Sequence, residues 1–256
     1  MIHATAIIEP GAILGDNVKV GAYSIIRQHV TIGEGTVVGP HVVIEGRTTI
    51  GCDNEIFQFA AIGAVPQDLK FHGEETTLTI GDRNTIREFA TMHLGTEDGG
   101  SKTIIGSDNL FMAYIHVAHD CILGDHIIMA NNASLAGHVE VADYAILGGM
   151  SAVHQFTRIG CHVMASGGSM IAQDLPPFVI AQGDRAKTVG LNLIGLRRRG
   201  FSAETLSALK KAYKLVFRSG LRQEEALQQI AETVEQFPEV VLFSDFIRAS
   251  ERGVAR

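Results

Sequence analysis

Tryptophan is absent from this 256-residue chain, and the three cysteines, at 52, 121 and 161, form no CxxC pair. The cysteine spacing excludes a disulfide framework and suits a reducing compartment. No apolar run reaches the length of a membrane span, and the first residues lack a charged-then-apolar signal pattern. The expectation is a soluble cytoplasmic protein with no stable membrane insertion, which still leaves room for a lipid-like substrate. An excess of positive charge is also missing: the formal net charge of −7 gives no support for a nucleic-acid partner. Glycine, by contrast, is plentiful at 28 residues, which suits tight, repeated corners.

What the sequence does have is a period of six. Ile2, Ile8, Leu14, Val20, Ile26, Ile32, Val38, Ile44, Ile50, Ile56 and Ile62 are evenly spaced. Neither a helix (3.6) nor a plain strand (2) gives this period; a β-solenoid does, with each hexad a short strand plus a corner. Two residues earlier in most hexads stands a small or β-branched residue, such as Ala12, Val18, Ser24, Val30 and Thr36. Residues two apart on a strand face the same way, so each hexad points one large and one small side chain inward. Cys121 falls on a small inward slot and reads as apolar filler, not as a reactive thiol.

The frame is lost between Val65 and Leu78, where Asp68 and Glu74 would occupy core slots, and again from His93 to Thr103. These breaks predict two excursions, near 64–79 and 93–104, on a binding face. The frame returns one residue out of step, at Ile105, and runs on to Ile171. Pro176 and Pro177 are expected to end the laddering. Helical patterns follow: Ser202 as N-cap before Leu206, Leu209, Val216 and Phe217, with Gly220 closing; a second helix with Leu227, Ile230 and Val234; and a third opened by Pro238, with Val241, Phe243, Phe246 and Ile247. The division is a β-helix domain at 1–183 and a helical domain at 184–256.

Three hexads per triangular coil make residues 18 apart vertical neighbours, roughly 4.8 Å from one another. His119, Gly137 and Gln155 then share one column, and Asp120 and His138 the next. His116 lies one strand-step away and His154 flanks Gln155. Four histidines, a carboxylate and an amide meet at one edge. This set suits acyl transfer: a histidine base, a glycine whose N–H can approach an oxyanion, and a carboxylate to fix the imidazole tautomer. No serine or cysteine in the column serves as nucleophile, so direct attack by the acceptor is expected. The bland readings stay open here: a solenoid histidine as surface decoration, Gly137 as a corner glycine. The consecutive Arg197, Arg198 and Arg199, placed just before the first helix, suit phosphate or a solvated turn. Lys210, Lys211, Lys214, Arg218 and Arg222 form a basic strip that suits an acidic partner or an ordinary exposed face.

The hexad frame, His116-Val-Ala-His119-Asp120-Cys121, Asn131-Asn132-Ala-Ser-Leu-Ala-Gly137-His138, Val153-His154-Gln155-Phe156 and Arg198-Arg199-Gly200-Phe201-Ser202 together resemble the UDP-N-acetylglucosamine acyltransferases of lipid A biosynthesis, nearly end to end. The resemblance implies a mainly β fold, a left-handed parallel β-helix with a small C-terminal α-helical domain. It implies a homotrimer with sites between subunits, an (R)-3-hydroxyacyl acyl carrier protein as donor, and the 3-hydroxyl of UDP-N-acetylglucosamine as acceptor. It implies no cofactor beyond the phosphopantetheine of the donor and no metal, and docking of the carrier protein on the basic helices. By resemblance His119 is the general base and Gly137 the oxyanion donor; Asp120, the neighbouring carboxylate, completes the catalytic set from its position in the frame. Gln67, Asp68 and Lys70 would bind sugar with His116, His138, His154 and Gln155. Asn192, Arg198 and Arg199 would handle the nucleotide, and Gly167, Met170 and Arg185 the acyl chain. Leu94, Ile194 and Arg185 depart from the family pattern. Two other classes compete: a zinc lyase of the γ-carbonic-anhydrase type, with His116, His119 and His138 as ligands, and a purely structural solenoid.

Overall fold

The computed structural model describes residues 1–256, and it is a parallel β-helix followed by helices. The chain winds through three sheets of nine, eight and ten strands, one per face of a triangular prism, parallel throughout except for the last strand of the ten. Most strands are two residues long, because a hexad has only that much extended chain between corners. Ile7 and Ile8 pair with Ile25 and Ile26, and Val117 pairs with Leu135, so the coil is 18 residues. Across the first excursion the partners are 30 residues apart (Ile50 with Ile80), and across the second 25 (Met92 with Val117). The strands resume at Thr77 and Lys102, earlier than Leu78 and Ile105, the first core residues after each break.

The inward slots are filled as the period requires. Val20, Ile26, Ile32, Val38 and Ile44 are buried, and the same column continues past the excursions through Ile105, Phe111 and Val117. Ile2 is 43% exposed, because no coil lies beneath the first. The small slots include Asn54, Asn84 and Asn109, fully buried and joined into a ladder. Each side-chain oxygen accepts a backbone N–H from the next coil, as Asn54 Oδ1 does from Asn84 N at 2.9 Å. That pairing satisfies polar groups which would otherwise destabilise the core. Cys121 is buried with its Sγ against the Ala136 carbonyl, and burial pushes its thiol up to about 12, in keeping with a filler role.

The corners carry non-glycine residues in the left-handed region, among them Asp120, His138 and Phe156 with φ near 60°. Repetition at each coil stacks these side chains along the prism edges. One edge carries Tyr23, His41, Phe59, Phe89 and Tyr114, and another His126, Tyr144, His162 and Phe178.

Three expectations need correction. Pro176 and Pro177 do not end the ladder: Met164 and Ala165 pair in parallel with Ile180 and Ala181, in strand Val179–Gln182. The prolines occupy a corner, where no ladder N–H is required. Strand Lys187–Leu191 then pairs antiparallel with Val179–Gln182 as a hairpin. The arginine run does not directly precede the long helices as a turn: Arg197 and Arg198 end a short helix, α1 (Leu193–Arg198), which Asn192 caps. In the helical region α2 (Ala203–Phe217) is capped by Ser202 as expected, and α3 (Gln223–Thr233) and α4 (Pro238–Arg248) follow. Val241 is exposed at 40%, and its neighbour Val240 fills the core position instead.

Candidate active site

The edge formed by Asp120, His138 and Phe156 holds the site. Asp120 sits at a left-handed corner with its side chain out of solvent. Its Oδ1 accepts the backbone N–H of Thr96 at 2.8 Å, and its Oδ2 accepts the Thr96 hydroxyl at 2.6 Å. Its own N–H donates to Thr103 Oγ1 at 2.8 Å. Burial pushes this carboxyl up, but the hydrogen bonds from His119 and Thr96 outweigh it, and the net shift is below the ordinary carboxylate range.

With Asp120 ionised, His119 Nδ1–H donates to Oδ2 at 2.7 Å. That fixes the tautomer and leaves Nε2 with its lone pair free, the state a general base needs. The His119 ring lies against Gly137 on the next coil: a Cβ there would stand 2.5 Å from Cε1 and 2.7 Å from Nε2. Gly137 is not in the left-handed region, so the turn is not what requires glycine; the imidazole is. The Gly137 carbonyl accepts from Phe156, while its N–H has no acceptor in the chain. A bare donor therefore lies next to a base.

His138 stands edge-on to His119, with ring centroids 5.1 Å apart, and stacks on Phe156 at 4.3 Å. Desolvation lowers its pKa, against the opposing pull of Asp120 and Asp68. His116 Nδ1 meets Thr91 Oγ1 at 2.7 Å, and burial, then the nearby His119, lowers its pKa as well. Both rings are neutral near pH 7 and suited to hydroxyl groups. The first excursion brings Asp68 within electrostatic reach of His138, and Lys70 Nζ lies 3.9 Å from Asp98 of the second. Gln67 and Lys70 are exposed, as are His154 and Gln155 two coils below His119.

The acyl-pocket candidates gather elsewhere on the same face. Met170 faces outward on the column His116, Ser134, Ala152, Met170, three coils or roughly 14 Å from His116. The Ala186 N–H donates to the Met170 carbonyl, which sets Arg185 beside it. A Cβ on Gly167 would press on the Gly149 carbonyl at 3.2 Å. The nucleotide candidates are not brought to His119. The Asn192 side chain donates to the His162 carbonyl and caps α1, and the Arg199 guanidinium lies 4.2 Å from the Tyr144 ring centroid. Both belong to the Tyr144–His162 edge, and a whole prism face separates that edge from the His119 edge. Arg198 is exposed on α1.

The three imidazoles named for a zinc site do not converge. The group able to hold a cation is His119, Asp120 and His138, with ligand atoms within 4.8 Å of one another. Both oxygens of Asp120 already accept hydrogen bonds there.

Sequence reasoning missed Thr96, Thr103 and His93. Thr96 holds Asp120 from within an aperiodic excursion, so no spacing marks it; Thr103 lies on strand Lys102–Ile105, in the small inward slot two residues before Ile105, where a threonine reads as core filler. His93 is 4% exposed and packs edge-on against His116 at 4.9 Å. Its position at the start of a frame break was the available signal.

Comparisons with known proteins agree with this geometry. Residues 174–255 match the second domain of the UDP-N-acetylglucosamine O-acyltransferase family, and residues 11–46 the bacterial transferase hexapeptide repeat. The acyl-[acyl-carrier-protein]–UDP-N-acetylglucosamine O-acyltransferase of Herminiimonas arsenicoxydans is 54% identical over 260 positions, covering 100% of this chain and 99% of that protein. The solved structure of LpxA from Acinetobacter baumannii is 49% identical with a TM-score of 0.97, covering 100% and 99% of the two chains. The LpxA structure from Bacteroides fragilis, at 42% identity, has a TM-score of 0.98 and covers 100% of both.

Proposed function

Because this chain belongs to the family of acyl-[acyl-carrier-protein]–UDP-N-acetylglucosamine O-acyltransferases, we propose that it moves an acyl group from an acyl carrier protein to UDP-N-acetylglucosamine, at the start of lipid A assembly in the cytoplasm. The finer reading is an (R)-3-hydroxyacyl chain delivered to the sugar 3-hydroxyl. The observation that carries it is the His119 base, held by Asp120, lying against the unpaired N–H of Gly137.

His119 Nε2 takes the proton of the sugar hydroxyl as its oxygen attacks the thioester carbonyl carbon. The charge that develops on the carbonyl oxygen is met by the Gly137 N–H. Collapse breaks the carbon–sulfur bond, and the imidazolium returns its proton to the departing thiolate. Asp120 stays ionised and stabilises the imidazolium. His116, His138, His154, Gln155, Gln67, Asp68 and Lys70 would orient the sugar and the acyl hydroxyl. The column ending at Met170, Gly167 and Arg185 would take the acyl tail.

One prism face, roughly 15–20 Å of strand and corner, separates Asn192 and Arg199 from His119. A neighbouring copy would bring its own Tyr144–His162 edge to this one, and this supports a homotrimer. Outward-facing Leu110, Ile128, Ile146, Met164 and Ile180 form an aliphatic column for such contact. The exposed Lys211, Lys214 and Arg218 border a cavity of about 340 Å³ on the helical domain, a docking surface for an acidic carrier protein.

The test is His119→Ala assayed with acyl carrier protein donors and UDP-N-acetylglucosamine. The expected result is a loss of turnover of about 10² to 10⁴-fold with fold and oligomer intact; activity like wild type removes the mechanism. Metal analysis of the same protein separates the lyase reading, which needs stoichiometric zinc.

A further inference from the structure

Asp120 and Phe156 occupy equivalent left-handed corners of one edge, with φ of 60° and 62°. Phe156 is 50% exposed, whereas the Asp120 side chain is out of solvent. A corner by itself gives a carboxylate no shelter: Asp53, at φ 55° on another edge, is exposed. What differs at Asp120 is the second excursion. It leaves the prism after strand Thr91–His93, folds over this corner and returns as strand Lys102–Ile105. The Thr96 carbonyl accepts from Gly99 N at 3.1 Å and from Ser101 N at 2.8 Å, so the excursion is a ring closed at Thr96. Thr96 also supplies two of the three donors to the Asp120 carboxylate.

The ring meets the same carboxylate a second time, at Gly99. A Cβ built there would overlap Asp120 Cγ and both carboxylate oxygens. Gly99 is not in the left-handed region, so its backbone does not call for glycine; the carboxylate does. The tip of an aspartate is ordinarily free to swing away from a new methyl group. This one is not. Oδ1 accepts the Thr96 N–H at 2.8 Å, and Oδ2 accepts the Thr96 hydroxyl at 2.6 Å and His119 Nδ1–H at 2.7 Å. Moving it breaks charge-assisted hydrogen bonds, including the one that orients the base. Gly100, the next residue, is the opposite case. It has φ 93°, and beyond its chain neighbours no heavy atom lies within 4 Å of an added Cβ.

We propose that Gly99 is a positioning residue for the reaction. By presenting no side chain, it lets the second excursion close over Asp120, and the enclosed carboxylate then holds the His119 imidazole in place. The proposal rests on the acyltransferase reading. A carboxylate kept from solvent attracts an imidazolium more strongly than an exposed one, because the surroundings screen less. The excursion therefore acts on the chemical step, through Asp120, and not on the affinity for the sugar nucleotide. Its role differs from that of the first excursion, which brings Asp68 and Lys70 to the sugar side of the site.

The test is steady-state kinetics with an acyl carrier protein donor and UDP-N-acetylglucosamine. Gly99→Ala is expected to lower kcat at least about tenfold, as a base displaced by a fraction of an ångström would, and to leave KM for UDP-N-acetylglucosamine within about twofold. Asp120→Ala removes the obstructed group, so adding Gly99→Ala in that background changes kcat by less than about twofold. Gly100→Ala strains the left-handed turn of the same ring without touching Asp120; it is expected to lower the thermal midpoint while kcat stays within about threefold. Equal losses from Gly99→Ala in the two backgrounds mark a merely structural loop and overturn the proposal. A Gly100→Ala loss as large as that of Gly99→Ala overturns it too, and so does a raised KM with kcat unchanged. If Asp120→Ala turns over too slowly to measure, the Gly100 comparison decides. Wild type without transfer removes the acyltransferase reading itself, whereas a fully active Gly99→Ala removes this proposal alone.

Discussion

The imidazole of His119 and the backbone of Gly137 occupy adjacent coils so closely that a methyl group on Gly137 would stand 2.5 Å from Cε1. The pair is one unit, with the base where it is because the next coil has no side chain.

Gly137→Ala is therefore expected to displace the ring without unfolding the prism. Overpacking of this kind costs about 1–3 kcal/mol, and a displacement near 1 Å costs on the order of 10²-fold in rate. Steady-state kinetics beside thermal unfolding checks both; a fully active Ala variant would contradict the arrangement.

Thr96→Val removes the hydroxyl that donates to Asp120 Oδ2 and leaves the backbone contact. The loss of one buried charge-assisted bond costs about 1.5–3 kcal/mol. The expected result is a lower kcat with a small change in KM, because the imidazole is held less firmly. The comparison is with Thr96→Ser, which keeps the donor.

Burial, helped by His116 and His119, pushes His93 down to about 4 from an ordinary value of 6.5. The unfolded chain takes up this proton between those values and the folded chain does not, so stability falls as pH drops from 6.5 towards 4. The contribution is up to roughly 3 kcal/mol. Urea midpoints at pH 7.5 and 5 are expected to differ more for wild type than for His93→Phe. Asp120 does not affect this window, because its folded pKa lies below the ordinary carboxylate value and its stabilisation is lost only at lower pH.

Ile146 lies mid-column on the ten-stranded face with its side chain half-buried. Ile146→Glu places a charge where a second copy would pack. Light scattering is expected to show a smaller species, with weakened binding of UDP-N-acetylglucosamine as the cross-subunit edge is lost. A variant that keeps both mass and affinity would place the interface elsewhere.

The prism was legible because its core repeats. Once the period of six is seen, Val20, Ile26 and Ile32 determine what faces inward, and the 18-residue coil brings His119 to Gly137. The continuation past Pro177 was not legible, because a proline is compatible with a corner and incompatible with a strand, and the sequence does not say which it occupies. Thr96 escaped for a related reason: its contacts to Asp120 come from an excursion that obeys no period, whereas Thr103 escaped because a threonine in a small inward slot reads as filler. Helix α1 escaped because six residues carry too little amphipathic pattern to register. The site was legible where it is stacked and not where it is looped.

Each coil touches only the coil above and the coil below, so the reacting groups depend on a vertical vernier in steps of 18 residues. Evolution or an engineer could remove a whole lap of chain upstream of the first excursion and leave the chemistry aligned, whereas removing a single residue there would rotate the inward slots between that point and the first excursion towards water, the loops alone being able to absorb an odd residue. Outside its two loops, the length of the prism is thus free in whole laps and rigid in anything less.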